Sequence, residues 1–139
     1  MKRFYHLLAL VCLLVLPACK DMTQAKGLSE TAITDFHRQF NEARFKEVYA
    51  ATHENFKKAT TEAEFVELLD AMHRKLGKHV ESAGKGWRVN SFNGKTTASL
   101  SQDATFEHGK GTETFVFVIS DGKCSLQNYD IQSRDLIVK

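Results

Sequence analysis

The side chains with the widest chemical repertoire in this chain are its histidines, which can act as bases, acids or metal ligands near neutral pH. His73 is the most promising by position. It lies eight residues after Phe65, on the apolar face of a helical pattern, where it could serve as a base or ligand at the edge of a concave pocket. The bland alternative is a boundary histidine holding one hydrogen bond. His37, His53, His79 and His108 are scattered, and none pairs with another His, Cys or carboxylate at metal-ligand spacing. His53-Glu54 lacks the second histidine of a zinc-protease helix. Asp103 and Glu107 share a strand face, but it is the face opposite Phe106 and so the solvated one. Gly109-Lys110-Gly111 joins two strands and opens no helix, which makes it a poor phosphate loop. No nucleophile elbow is present. The expectation is no catalytic residue, no metal and no cofactor.

Three helical patterns precede four strands. Ile33, Phe36, Phe40 and Ala43 recur at spacings of three and four, with Ser29 as a capping candidate. Phe45, Val48, Tyr49, Thr52 and Phe56 make one face of a second helix. Phe65, Leu68, Leu69, Met72 and Leu76 make that of a third, with Thr61 and Glu64 as a capping box and Gly77 as its end. The period then falls to two. Trp87 and Val89 alternate with Arg88 and Asn90, and Asn93-Gly94 signals a hairpin. Ala98, Leu100, Gln102, Ala104 and Phe106 line one face of the next strand. His108 to Gly111 turns the chain into Thr114–Ile119, and Asp121-Gly122 turns it into Lys123–Gln132. A bulge near Gln127-Asn128 would bring Leu126 into phase with Tyr129 and Ile131. Helices followed by an antiparallel meander predict an α+β fold, with three helices on one face of a curved four-stranded sheet. The pocket this implies draws on His73, Trp87, Phe106 and Tyr129. The run Phe115–Ile119 is apolar on both strand faces, which calls for a pocket, a partner or a homodimer through the sheet.

The front of the chain has its own logic. Lys2 and Arg3 precede the unbroken apolar run Leu7–Leu16. As a helix this run spans only ~15 Å, half the ~30 Å of bilayer hydrocarbon, so it fits a secretory signal better than a membrane span. It ends in Leu16-Pro17-Ala18-Cys19, which resembles the lipobox of bacterial lipoproteins. The resemblance implies cleavage between Ala18 and Cys19 and acylation of the Cys19 thiol, a step only a thiol performs. The domain plan is then a signal peptide over 1–18, a lipidated Cys with a polar tether over 19–27, and one domain over 28–139. Lys20, rather than an acidic residue, follows Cys19; by the enteric sorting pattern this implies the outer membrane, facing the periplasm.

Of 19 Lys and Arg residues, Lys2 and Arg3 fall in the expected signal, and the rest match the 17 acidic residues. A balanced mature domain offers no charge argument for nucleic acid. With Cys12 in the signal and Cys19 acylated, Cys124 is unpaired, and an unpaired cysteine is most often buried and inert. The mature chain also resembles small exported bacterial proteins of the cystatin-like group that includes nuclear transport factor 2 and ketosteroid isomerase. The residues carrying that likeness are Phe36, Phe40-Asn41, Phe65, Leu68-Leu69, His73–Gly77, Trp87, Thr112–Phe115, Tyr129 and Ile131. The likeness implies the fold and says almost nothing about chemistry. The expected function is a lipid-anchored periplasmic module that binds a small molecule or an envelope protein, and the rival is a ketosteroid-isomerase-like enzyme for a small hydrophobic substrate, with His73 as base.

Overall fold

The structure, a computed structural model, describes the backbone of residues 16–138 and the side chains of 21–138. The expected signal peptide lies outside the described residues but for its last three, of which, as of Cys19, only helical backbone is described.

Helix α1 (Leu16–Asn41) buries Ala25, Ser29, Ile33, Phe36, His37 and Phe40, a stripe stepping by three and four. The segment 19–27, expected as a tether, is helix instead. Ala25 is buried, and Lys26 pairs with Glu30 one turn on at 3.1 Å. Ser29 is not a cap. It sits inside the helix, its hydroxyl donating to the Ala25 carbonyl at 2.8 Å, a bond serine makes readily without leaving helical geometry. The helix closes where Ala43 takes φ +56° and Arg44 N–H reaches back to the Gln39 carbonyl at 2.9 Å.

The expected second helix is two: α2 (Phe45–Ala50) and α3 (Glu54–Ala59). Thr52 breaks it by turning its hydroxyl onto the Tyr49 carbonyl at 2.7 Å. His53 then caps α3, its ring accepting the Asn55 N–H, while its own N–H donates to the Leu126 carbonyl at 2.7 Å. The break lets Phe45, Val48 and Phe56 all reach the core. Helix α4 (Glu62–Leu76) carries the Thr61–Glu64 capping box and ends at Gly77, whose φ of +76° and contact with Glu107 leave no room for a Cβ.

Strands β1 (His79–Phe92), β2 (Lys95–Phe106), β3 (Gly109–Ser120) and β4 (Lys123–Gln132) form an antiparallel meander in sequence order, so the fold is α+β with the helices on one sheet face. Positive φ at Asn93-Gly94 and Asp121-Gly122 makes both hairpin turns. The β2–β3 turn is tighter than expected. Glu107 and His108 make it, and β3 starts at Gly109, where Leu76 and Asp135 press too closely for a side chain. Pairing shifts from Val116↔Asn128 to Phe117↔Leu126, so Gln127 is the extra residue of a bulge and Leu126 joins Tyr129 in the core. A short helix α5 (Arg134–Val138), which no periodicity announced, closes the chain.

Along β3 the inner row is Glu113, Phe115 and Phe117, all buried. On the opposite row Val118 is buried too, beside Thr52, His53 and Glu54 of the α2–α3 connection, while Val116 is half-buried. Part of the cover that the doubly apolar strand needs therefore comes from its own chain.

Candidate functional site

One inner-row position carries a charge. Glu113 is wholly buried, because the two-residue period that sends Phe115 and Phe117 into the core sends residue 113 with them. An unpaired carboxylate there would be strongly destabilising. Three donors meet it: His37 Nε2 at 2.9 Å and Gln102 Nε2 at 3.0 Å on Oε2, and the Tyr129 hydroxyl at 2.8 Å on Oε1. They come from α1, β2 and β4, so the carboxylate ties the helix to three strands.

His79, the first residue of β1, lies face to face with His37, ring centroids 3.6 Å apart and planes 4° from parallel. Asn41, at the end of α1, sets this contact by clamping the His79 backbone. Its Oδ1 accepts the His79 N–H at 2.7 Å and its Nδ2 donates to the His79 carbonyl at 3.0 Å. Gln102 donates to Ser82 Oγ at 3.0 Å, and Ser82 Oγ lies 2.7 Å from His79 Nε2. With its oxygen already accepting, Ser82 has its own proton free to give to His79 Nε2.

The electrostatics follow from this packing. Burial pushes the Glu113 carboxyl up, but the hydrogen bond and charge of His37, with Gln102 and Tyr129, outweigh it and hold the group below the usual range. Burial, reinforced by the charge of His37, lowers His79 to about 4, against the opposing pull of Glu113 and the Glu81 backbone. Burial and the Glu113 charge raise the Tyr129 hydroxyl well above its ordinary value. At neutral pH the cluster is an ionised Glu113 bound to His37, with a neutral His79 stacked on it.

Both imidazoles reach a cleft of about 590 Å³ between α1 and the β1–β2 hairpin. Ile33, Ser82, Trp87, Leu100 and Gln102 complete the principal walls, with Lys26 and Lys85 beside them. Trp87 is half exposed, and the Lys26 ammonium stands 5.5 Å from its ring centre. The volume suits a small organic molecule. No family model matches the chain, and no curated protein gives a significant match to it. The site must be read from its own geometry.

Ligand atoms of His37, His79 and Glu113 lie within 4.8 Å of one another, so a metal must be considered. Two imidazoles on one tetrahedral ion diverge, which sets their ring centres roughly 5 Å apart. Parallel rings at 3.6 Å send their lone pairs side by side, and Glu113 already accepts three hydrogen bonds. As arranged, the residues do not converge on a cation.

Of the four residues expected at a pocket, Trp87 lines the cleft and Tyr129 holds Glu113 from beneath. Phe106 is buried, with its ring 5.7 Å from that of His79 in an edge contact. His73 is elsewhere. It lies between Phe40 and Phe45, ring centres 5.3 and 5.9 Å away, and its buried Nε2 has no protein partner. Sequence reasoning passed over His37, His79, Gln102 and Glu113. The available signal was Glu113 in phase with Phe115 and Phe117, and Gln102 in phase with Leu100 and Ala104. Asp103 is exposed and bound to Thr112 and Lys85, as a solvated face requires. Burial raises the half-buried Cys124 thiol above its usual value, against a weaker opposing bond from Ser29. Among the described residues no helix is long and apolar enough to cross a membrane.

Proposed function

We propose that this protein is a lipid-anchored periplasmic binding module, held by acylated Cys19, that takes a small molecule into the cleft between α1 and β1–β2. The observation that carries the reading is the state of the His79 cluster at the cleft. Glu113, buried behind the lining residues His37 and Gln102, accepts three hydrogen bonds, the Tyr129 proton is held tightly, and His79 is neutral with a value of about 4. A general base works best with a value near the operating pH. His79 is well below that, and its Nε2 already faces the Ser82 hydroxyl, so it is poorly suited to remove a proton from a ligand at neutral pH. The half-exposed Trp87 supplies an apolar platform beside the polar floor. Chemistry of the ketosteroid-isomerase type, for which His73 was the expected base, has less support, because His73 is packed among phenylalanines away from the cleft.

The test uses the mature lipoprotein in detergent and the small-molecule fraction of its native envelope. That fraction should raise the melting temperature of the parent protein and not that of a Trp87→Ala/Gln102→Ala variant. A fraction that leaves the parent unmoved, or stabilises both equally, contradicts binding in this cleft.

A further inference from the structure

Helix α1 is continuous from Leu16, so the anchor is joined to the domain by helix rather than by slack chain. Where its first turns lie therefore decides which part of the domain meets the membrane. Asp21 and Met22 share a surface depression with Val89, Ser91 and Thr96, at the base of the β1–β2 turn. Cys19 lies about 3 Å further along the helix than Asp21, and the Asn93-Gly94 tip about 7 Å beyond Ser91 and Thr96. Anchor and tip are thus near neighbours at one end of the molecule.

Besides the acidic Asp21, that end carries exposed apolar and basic side chains. Phe92 is 79% exposed and Met22 45% exposed. Phe92 pairs with Lys95 across the turn, and Arg88 lies on the same sheet face four residues back, both exposed. An exposed aromatic ring with basic neighbours suits the boundary between headgroups and acyl chains of an anionic bilayer.

We infer that the tip of the β1–β2 hairpin, Phe92 to Lys95, is a second membrane contact, inserting Phe92 into the bilayer that holds the N-terminus. This rests on the proposed acylation of Cys19. Two contacts on one rigid end stand the domain upright, and Lys26 at the cleft mouth then sits about 10 Å above Cys19 along the helix.

The experiment uses the full mature lipoprotein in vesicles of phosphatidylethanolamine and phosphatidylglycerol with brominated acyl chains. In a Trp87→Phe background, a single indole is placed by Phe92→Trp or by Ile137→Trp. Ile137 is a fair control because it is 83% exposed and lies on α5, which packs by Gly109 at the other end of the sheet. The bromolipids should quench the indole at position 92 roughly threefold while sparing the one at 137. Mass spectrometry of the same preparation reads the acyl group on Cys19. Acyl mass with an unquenched position 92, or with equal quenching at both positions, overturns the hairpin contact alone. A preparation without acyl mass overturns the anchor and the contact together. If Phe92 is instead covered by protein, quenching is absent and the proposal fails.

Discussion

The rings of His37 and His79 are stacked 3.6 Å apart and nearly parallel, yet one is bound to a carboxylate and the other is held neutral. The contact joins the long helix to the first residue of the sheet. A proton added to His79 would place a positive charge directly against the ring that serves Glu113. Protonation of His79 is therefore linked to the packing of α1 on the sheet.

Acid should weaken the fold before ordinary carboxylates titrate. His79 has a folded value of about 4 against about 6.5 when unfolded, so the unfolded chain binds more protons between them. Its contribution is fully present above about 6.5 and is lost as pH falls toward 4. At a half-buried site the loss is about 1–2 kcal/mol after solvent screening. Glu113, lowered in the fold, adds a second loss below its unfolded value. Urea midpoints measured from pH 7 to pH 4 should fall for the parent and stay nearly level for His79→Phe until Glu113 titrates.

Glu113→Ala should be among the most damaging single changes. It leaves His37, Gln102 and Tyr129 with donors facing a cavity, at a cost of about 3–5 kcal/mol. Glu113→Gln keeps the shape but offers a donor where acceptors are needed, and should cost about 2 kcal/mol. Equilibrium denaturation ranks the two, and a mild effect for both would mean that the carboxylate is not the tie described.

Asn41→Ala removes both hydrogen bonds to the His79 backbone and should cost about 1–3 kcal/mol. Its diagnostic effect is elsewhere. With the clamp gone, the stack loosens and His79 should titrate closer to its ordinary value. A variant that loses stability while His79 still titrates near 4 would show that Asn41 supports the fold but does not set the site.

Val118→Lys should unfold the domain rather than yield a folded monomer, because Val118 is 3% exposed within the single chain. Circular dichroism decides this. A well-folded variant would show that Val118 is not packed as described.

Much of the framework was legible because its signals are local. The Thr61–Glu64 box, the Asn93-Gly94 and Asp121-Gly122 turns and the bulge at Gln127 each depend on a few adjacent residues. The break at Thr52 was not legible, since Phe45 to Phe56 keep helical spacing throughout. Besides the Thr52 hydroxyl, what holds the break open is a bond from His53 to Leu126, far along the chain. The site was hidden for the same reason. His37 and Glu113 stand 76 residues apart, and no spacing rule reaches across a helix and three strands. Glu113 was nonetheless conspicuous as a carboxylate among inward-facing phenylalanines. His73 misled because helical phase reports burial but not whether a cleft lies beyond.

The most direct test of the site is the imidazole ¹⁵N spectrum of the mature lipoprotein, with His79 followed from pH 8 to pH 3.5. The account predicts a neutral His79 whose Nε2 accepts a hydrogen bond at neutral pH and which titrates near 4, displacing the His37 resonances as it does so. A His79 that titrates near 6.5, with His37 indifferent to the change, would contradict it.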